Sequence, residues 1–365
     1  MGTARAIGLG LGFVLDRVAG DPRRWHPVAG FGAVAGALEQ VAHRDARGAG
    51  VAHELVLVGG VVAVSAGVER FLATRRGAGS TVAQGVSTAI ATWIALGGTT
   101  LARTGSDMTR RLESGDVAAA RRILPSLCGR DPESLDADGL ARAAVESLAE
   151  NTSDATVAPL FWGAVAGVPG LLGYRAVNTL DAMVGYRDDR YRRFGWAAAR
   201  TDDLANLLPA RVTGALTALL APAVGGHPAA AVRAWRRDAA AHPSPNAGVA
   251  EAAMAGALGV RLGGPTRYRH GTEIRPTLGD GPSPQVPDLR RAVRLSEAVQ
   301  LAAGGGGGGG AAPPGRPDRG GRARSAAGFG RLAGARAPGP ARARRRRRDR
   351  RRSGPAAASA QPRLR

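Results

Sequence analysis

Residues 141–211 decide which folds this chain can adopt, and they read ARAAVESLAENTSDATVAPLFWGAVAGVPGLLGYRAVNTLDAMVGYRDDRYRRFGWAAARTDDLANLLPAR. Apolar segments in this stretch alternate with an unusual density of Glu, Asp, Asn and Arg. Polar groups beside membrane-like segments cost free energy unless they are paired or hydrated, so they mark a functional site by default. The stretch therefore predicts apolar helices with a polar site between them.

Four apolar runs lie along the chain, and each approaches the roughly twenty residues that span a bilayer. They cover residues 55–68, 86–102, 156–172 and 212–224. The Gly and Pro within them are tolerated better in membrane helices than in soluble ones. The pattern predicts an all-α fold, a polytopic integral membrane helical bundle with amphipathic soluble helices such as residues 107–124. Buried helices of a soluble all-α core are the alternative.

The positive charge is concentrated at the C-terminal end. The formal net charge is +21, of which residues 304–365 contribute +15 and the first 303 residues only +6. The C-terminal segment begins with seven consecutive glycines and is too poor in apolar residues to fold alone. We expect residues 1–303 to form the membrane-embedded domain. Residues 304–365 are expected to be a disordered, low-complexity tail, with the composition of a frameshifted reading of a GC-rich gene.

The residue types that are absent exclude several chemistries. All fifty basic residues are Arg and none is Lys, which rules out a P-loop lysine and a Schiff-base lysine. Cys128 is the only cysteine, so the chain holds neither an internal disulfide nor a multi-cysteine metal site.

The first candidate cluster is a stripe of acidic residues. Glu146, Glu150 and Asp154 are spaced i, i+4, i+8 and share one face of a helix, with Asn151 adjacent. Like charges at this spacing repel each other unless a cation lies among them. A solvated helix face is the ordinary explanation, but this stripe runs directly into an apolar segment, which favours a site.

Two further clusters follow in the same stretch. Asn178 and Asp181 lie one turn apart, and Asp202, Asp203 and Asn206 form the pattern DDxxN. Adjacent carboxylates with a carboxamide one turn later suit Mg²⁺, a hard ion that takes oxygen ligands and bridges to phosphate. The alternative is a cluster that caps a helix. Three arginines near these clusters could hold phosphate or carboxylate groups: Arg175, Arg200 and Arg211.

Three blocks of the sequence resemble the CobD/CbiB family of cobalamin biosynthesis, the adenosylcobinamide-phosphate synthases. The first block is FVLDRVAGDPRRWHPVAGFG, at residues 13–32, and the second lies within the stretch at residues 141–211. The third is HPSPNAGVAEAAMAGALGVRLGG, at residues 242–264, followed by RPTLGDG. Together they cover roughly residues 5–300 in order, so the resemblance is specific.

The resemblance implies a multi-pass protein of the bacterial inner membrane that couples aminopropanol, or its phosphate, to the f-side-chain carboxylate of adenosylcobyric acid. ATP and Mg²⁺ are the expected cofactors, and no tightly bound prosthetic group is expected. Other membrane enzymes of late cobalamin assembly are expected partners, and a specific nucleic acid is not.

Residue roles follow from the clusters and from the matching blocks. We expect the catalytic residues to be Glu146, Glu150, Asp181, Asp202 and Asp203, with Mg²⁺ on Asp202 and Asp203. The remaining polar residues are expected to bind substrate: Asn151, Asp154, Arg175, Asn178, Arg200, Asn206, Arg211, His242 and Asn246. A membrane phosphotransferase, or a transporter of a phosphorylated alcohol, would use the same Asp and Arg clusters and is the alternative function.

Overall fold

The computed structural model describes residues 2–21, 26–75, 77–268 and 271–305. The predicted tail lies outside the described residues from position 306 onward, as do residues 22–25 of the first resembling block. The described elements are α1 (Gly2–Ala19), α2 (Pro27–Ala42), α3 (Arg47–Thr74), α4 (Ala78–Ala95), α5 (Gly98–Glu113), α6 (Val117–Ile123), α7 (Ala137–Thr152), α8 (Ala158–Val184), α9 (Trp196–Ala205), α10 (Leu207–Leu220), α11 (Pro228–Asp238), α12 (Ala247–Leu258), β1 (Leu262–Tyr268), β2 (Gly271–Leu278) and α13 (Val286–Ala303).

Local signals explain where several helices begin. The Asp136 side chain accepts a hydrogen bond from the Gly139 N–H at 2.8 Å and thereby caps α7. His26 accepts from the Val28 N–H at the start of α2, where Pro27 occupies the first helical position. Such caps satisfy backbone N–H groups that have no partner within the helix.

Helix α7 continues into α8 through a π-helical turn, Ser153–Val157, and α8 then reverses direction at Gly167. Gly167 has φ 68° and ψ −157°, a conformation that is essentially restricted to glycine. Beyond it the chain folds back, because the Cα of Gly163 lies close to the Leu171 side chain and that of Gly170 close to the Trp162 carbonyl. Residues 137–184 therefore form a helical hairpin, with a first arm before Gly167 and a second arm after it.

Helices α1 and α4 pack closely side by side. A side chain at Gly8 would meet Thr88 at 2.5 Å, and one at Gly12 would meet Thr92 at 2.4 Å. Small residues four apart allow helix backbones to approach closely, which is the common packing mode of apolar helices in membranes. Beyond this contact, the side-chain N–H of Trp93 donates to the carbonyl of Gly20 at 2.9 Å.

A separate apolar core lies among α5, α6, α7, α10, α12 and α13. The strands β1 and β2 form an antiparallel hairpin at the edge of this core, with Leu262 paired to Leu278 and both fully buried. The all-α prediction is therefore wrong at residues 262–278, where Gly263 and Gly264 have positive φ values that interrupt any helix. The predicted helix at residues 107–124 is likewise divided, because Gly115 has φ 76° between α5 and α6.

The apolar runs at residues 55–68 and 212–224 lie in helical segments as predicted, whereas the run at residues 86–102 is divided where α4 ends at Ala95 and α5 begins at Gly98. Four helical segments of the described chain are long and apolar enough to cross a membrane: Arg47–Thr74, Ala78–Glu113, Ala137–Val184 and Leu207–Val224. Each contains one of the four predicted runs. The third segment, however, is the helical hairpin and doubles back on itself.

Candidate active site

A polar cleft lies where the open end of the helical hairpin meets α9, α10 and the start of α12. The polar side chains that line it come from three separate parts of the chain: Glu150, Ser153, Asp154, Asp202, Asn206, Ser244 and Asn246. Five of these seven residues were predicted as site residues, whereas Ser153 and Ser244 were not.

Hydrogen bonds join the two arms of the helical hairpin at the cleft. Asn178 on the second arm donates through Nδ2 to Asp154 Oδ2 on the first arm at 3.2 Å, and lies 3.3 Å from Asp202 Oδ1. The Tyr174 hydroxyl donates to Asn206 Oδ1 at 2.9 Å. The π-helical turn begins at Ser153, and such turns frequently occur at functional sites because they alter the direction of neighbouring side chains.

The carboxyl group of Asp202 is partly buried and accepts hydrogen bonds from two carboxamides. Burial raises its pKa to about 6, and hydrogen bonds from Asn206 and Asn178 act in the opposite direction. The Asn206 Nδ2 donates to Asp202 Oδ2 at 3.0 Å. A carboxyl with this pKa is mostly ionised at neutral pH, yet it is a stronger base than an ordinary aspartate.

Asp203 does not share the environment of Asp202, although the two are adjacent in sequence. Its Oδ2 lies 3.8 Å from the exposed Arg200. Partial burial raises the pKa of Asp203, and the charges of Arg200 and Arg187 oppose this rise. Consecutive residues on a helix point about 100° apart, so the structure does not bring the predicted pair to one point.

Arg211 is tied to the cleft through Asn246. Its Nη1 donates to Asn246 Oδ1 at 2.8 Å and to the Leu207 carbonyl at 2.9 Å. Asn246 in turn donates through Nδ2 to the Asp203 carbonyl at 2.6 Å. These contacts fix the loop before α12 against the junction of α9 and α10.

Glu146 faces the β-hairpin and not the cleft. It is buried in an ion pair with Arg130, and its Oε1 accepts from the Gly263 N–H at 2.8 Å. The neighbouring Asn151 donates to the carbonyl and hydroxyl of Ser147. The predicted acidic stripe is thus divided between the β-hairpin and the cleft.

His242 also belongs to a group beneath the β-hairpin. It is hydrogen-bonded to Arg275 of β2, and its Nε2 lies 3.6 Å from Glu251. Burial and the charge of Arg275 lower the pKa of His242 to about 4. Burial raises the pKa of Glu251 to about 8, against the opposing charge of Arg275. The pair is therefore largely uncharged near neutral pH.

Asp181 and Arg175 lie on the second arm, on either side of Asn178. Arg175 Nη1 is 3.5 Å from Asn178 Oδ1. Arg175 also lies near the first resembling block, since its positive charge lowers the pKa of Asp21. Burial raises the pKa of Asp21, while a hydrogen bond with Thr100 and the charge of Arg175 lower it.

Several residues of this region were missed by sequence reasoning: Ser153, Tyr174, Ser244, Arg130, Glu251 and Arg275. Ser153 is 3% exposed, and its hydroxyl has no hydrogen-bond partner in the described part of the chain. Its position directly before the predicted residue Asp154 was the only feature of the sequence that pointed to Ser153. Glu251 stands alone among small apolar residues of α12, and a lone carboxylate in such a helix could have been flagged.

Comparison with known proteins places these features in a protein class. The sequence pattern of the family described as CobD/Cbib protein matches residues 9–296. A Cobalamin biosynthesis protein CobD from Mycobacterium tuberculosis is 62% identical over 299 residues, which cover 82% of this chain and 93% of that protein. One from Chromobacterium violaceum is 44% identical over 290 residues, covering 80% and 91%. No solved structure matches.

The helical architecture, the apolar segments and these relatives define an enzyme class of cobalamin biosynthesis with the properties of a membrane protein. Within that class, the chain belongs to the CobD/CbiB family. The resemblance noted from the three sequence blocks is thereby confirmed.

Proposed function

We propose that this chain is an ATP-dependent ligase that forms an amide between aminopropanol, or its O-phosphate, and the f-side-chain carboxylate of adenosylcobyric acid. The product would be cobinamide or its phosphate. The observation that supports this most is the cleft, where Asp202, with its raised pKa, lies beside Asp154 and Glu150. The side-chain carboxylate and the small amine would meet at these residues, and the corrin ring would lie outside the cleft.

We further propose that residues 1–303 form a polytopic helical bundle in the bacterial cell membrane. Large apolar side chains of α3 are exposed on the protein surface, among them Leu55, Val64 and Phe71. An exposed apolar surface of this kind is stable in lipid and unfavourable in water. The bundle would keep the cleft at one membrane surface, because the cleft lies at the open end of the helical hairpin, beyond the apolar part of its two arms.

The donor atoms at the cleft fit Mg²⁺. Carboxylate oxygens of Glu150 and Asp154 and the unpartnered hydroxyl of Ser153 are hard oxygen ligands, and their use for Mg²⁺ would leave Asp202 free to act as a base. Within residues 2–21, 26–75, 77–268 and 271–305, no group of three or more His, Cys, Asp or Glu side chains could hold a metal ion by itself. Oxygen atoms of a phosphate group and of water would complete the coordination, as is usual for Mg²⁺. Bound with ATP, the ion would supply charge neutralisation for phosphoryl transfer.

The charged side chains at the cleft would have two further roles: a carboxylate would accept a proton, and arginines would bind anionic groups. Phosphoryl transfer from ATP to the f-side-chain carboxylate would form an acyl phosphate and release ADP. Asp202 would accept a proton from the substrate ammonium, and the free amine would then attack the acyl carbon and release phosphate. Asn178 and Asn206 would hold the Asp202 carboxylate in place through the hydrogen bonds described above. Arg211 and Arg175 flank the cleft and would bind anionic groups of the substrates.

Adenosylcobyric acid, aminopropanol or its phosphate, and ATP are therefore the proposed substrates. Other membrane enzymes of late cobalamin assembly are proposed partners, since the product is a substrate for further steps. A specific nucleic acid is not among the partners.

Conversion of adenosylcobyric acid by membranes that contain the full chain tests this function. The reaction would contain ATP, Mg²⁺ and either aminopropanol or its phosphate, with the product separated by chromatography. Asp202→Asn should abolish product formation while the amount of protein in the membrane fraction stays unchanged. No product with either amine, or undiminished product from Asp202→Asn, would contradict the proposed role.

A further inference from the structure

The tip of the helical hairpin is held by an ion pair from two other helices. Arg5 of α1 donates through Nη1 to the Ala164 carbonyl at 3.4 Å and through Nη2 to Glu69 Oε1 of α3 at 3.3 Å. Both charged side chains are mostly buried, with exposures of 27% for Arg5 and 21% for Glu69. The break at Gly167 interrupts the regular helical path just beyond Ala164, and Arg5 binds that carbonyl.

The fit around the tip is close. A side chain at Gly167 would lie 2.7 Å from Glu69 Oε1 and 2.8 Å from Arg5 Nη2. Only glycine satisfies both the positive φ and this lack of space. Arginine is suited to the position because its planar guanidinium presents several donors in a fixed arrangement and so reaches two acceptors at once.

The same hairpin carries the cleft residues at its opposite end. Asp154 lies on the first arm, and Tyr174 and Asn178 lie on the second, so the contacts between them depend on how the arms are aligned. Thirteen residues separate Asp154 from Gly167, which at 1.5 Å per residue is about 20 Å of helix. Because helical backbone connects the tip to the cleft residues on both arms, through the π-helical turn on the first arm, a displacement at the tip changes the alignment of the arms at the cleft.

We propose that Arg5 and Glu69 are positioning residues for the active site. The two residues clamp the tip at Gly167 and thereby keep Asn178 within hydrogen-bonding distance of Asp154 and Asp202. Neither residue touches the cleft. The effect on turnover rests on the proposed function, whereas the effect on arm alignment does not.

Arm alignment can be followed by the fluorescence of Trp162. This residue lies on the first arm and donates through Nε1 to the carbonyl of Ala205 at 2.9 Å, immediately before Asn206. Its emission is obtained by subtracting the spectrum of a matched Trp162→Phe variant. Loss of the clamp should shift this emission, because the indole hydrogen bond reports the position of the arm against α9.

The experiment compares Arg5→Gln, Glu69→Gln and the conservative variant Arg5→Lys, which keeps the positive charge and N–H donors at position 5, all in the full chain in membranes. We expect Arg5→Gln and Glu69→Gln each to lower kcat about tenfold with little change in KM, since small misplacements of reacting groups reduce turnover strongly. Each should also shift the Trp162 emission. Arg5→Lys should keep most of kcat and the original emission, because the ammonium group can still donate to the Ala164 carbonyl and to Glu69. Arg17→Gln, which removes the ion pair of α1 with Glu297 of α13, is the matched control and should change neither.

The outcomes separate this proposal from the proposed function. Unchanged Trp162 emission in both Gln variants would overturn the clamp, whatever the turnover. A shift of the same size in Arg5→Lys would also overturn it, because the loss of the charge and of the donors at position 5 would then not be the cause. If the unaltered chain forms no product, the proposed function fails and the emission alone decides whether the clamp exists.

Discussion

Replacing Asn206 with alanine should shift the pH dependence of catalysis to higher pH. Asn206 Nδ2 donates to the Asp202 carboxylate at 3.0 Å and stabilises its ionised form. A hydrogen bond to a charged group contributes about 1.5–3 kcal/mol, and 1.36 kcal/mol corresponds to one pKa unit. At the lower limit of this range, loss of the bond raises the pKa of Asp202 by about one unit, from about 6 to about 7.

The direction of the effect on rate follows from the role of Asp202. A base acts in its ionised form, so the rate rises with pH through the pKa of Asp202. Raising that pKa moves the acid limb of the pH–rate profile to higher pH. At pH 6 the ionised fraction falls from about one half to about one tenth, so kcat should fall roughly fivefold, with almost no loss at pH 8.5.

The assay is the rate of product formation from adenosylcobyric acid between pH 5 and pH 9. Asn246→Ala is the matched control, because it removes a carboxamide of the same cleft whose hydrogen bonds go to Arg211 and the Asp203 carbonyl. Its acid limb should stay near pH 6 whatever its maximal rate. If Asn206→Ala keeps its limb at the position of the unaltered chain, Asp202 is not the base.

Three further predictions concern stability, measured by thermal unfolding of the detergent-solubilised chain. Burial raises the pKa of Glu251 from 4.5 to about 8, so the folded state retains a proton that the unfolded state loses, and stability should fall as pH rises across this interval. Glu251→Gln should remove this contribution and so reduce the loss of stability with rising pH, and an unchanged slope would refute this. Arg130→Met should cost about 3–5 kcal/mol because it leaves the buried Glu146 without its cation, and adding Glu146→Gln should recover part of the loss. Gly8→Ala should destabilise the packing of α1 on α4 by about 1–3 kcal/mol, whereas Gly10→Ala, which meets nothing within 4 Å, should be close to neutral; equal effects would argue against that packing.

Much of the helical framework could be predicted from the sequence, because apolar run length is a local property. The run at residues 55–68 lies within α3, and the run at residues 212–224 lies within the helical segment that begins at Leu207. The strands were not predicted, since β1 and β2 are short and lie in a segment rich in Gly and Pro. Gly167 lies within a predicted apolar run, but its positive φ could not be predicted from the amino-acid sequence.

The candidate site residues were predictable as polar exceptions in apolar surroundings, but their grouping was not. Spacing along one helix assigned Glu146 to the same cluster as Glu150, whereas the structure pairs Glu146 with Arg130 beneath the β-hairpin. Adjacency likewise suggested that Asp202 and Asp203 act together. Their catalytic and metal-binding roles stay predictions, and the experiments above address them.

The sequence by itself determined the family, the apolar helices and the identity of the polar residues placed between them. Each of these depends on residue type and on spacing within a few turns of helix. Only the tertiary structure decided which polar groups share the cleft. Asn178 reaches Asp154 across 24 residues of sequence because the chain reverses at Gly167, and contacts at such separation depend on the path of the backbone. For the same reason, only the folded chain places Arg5 and Glu69 at the tip of the hairpin that aligns the site.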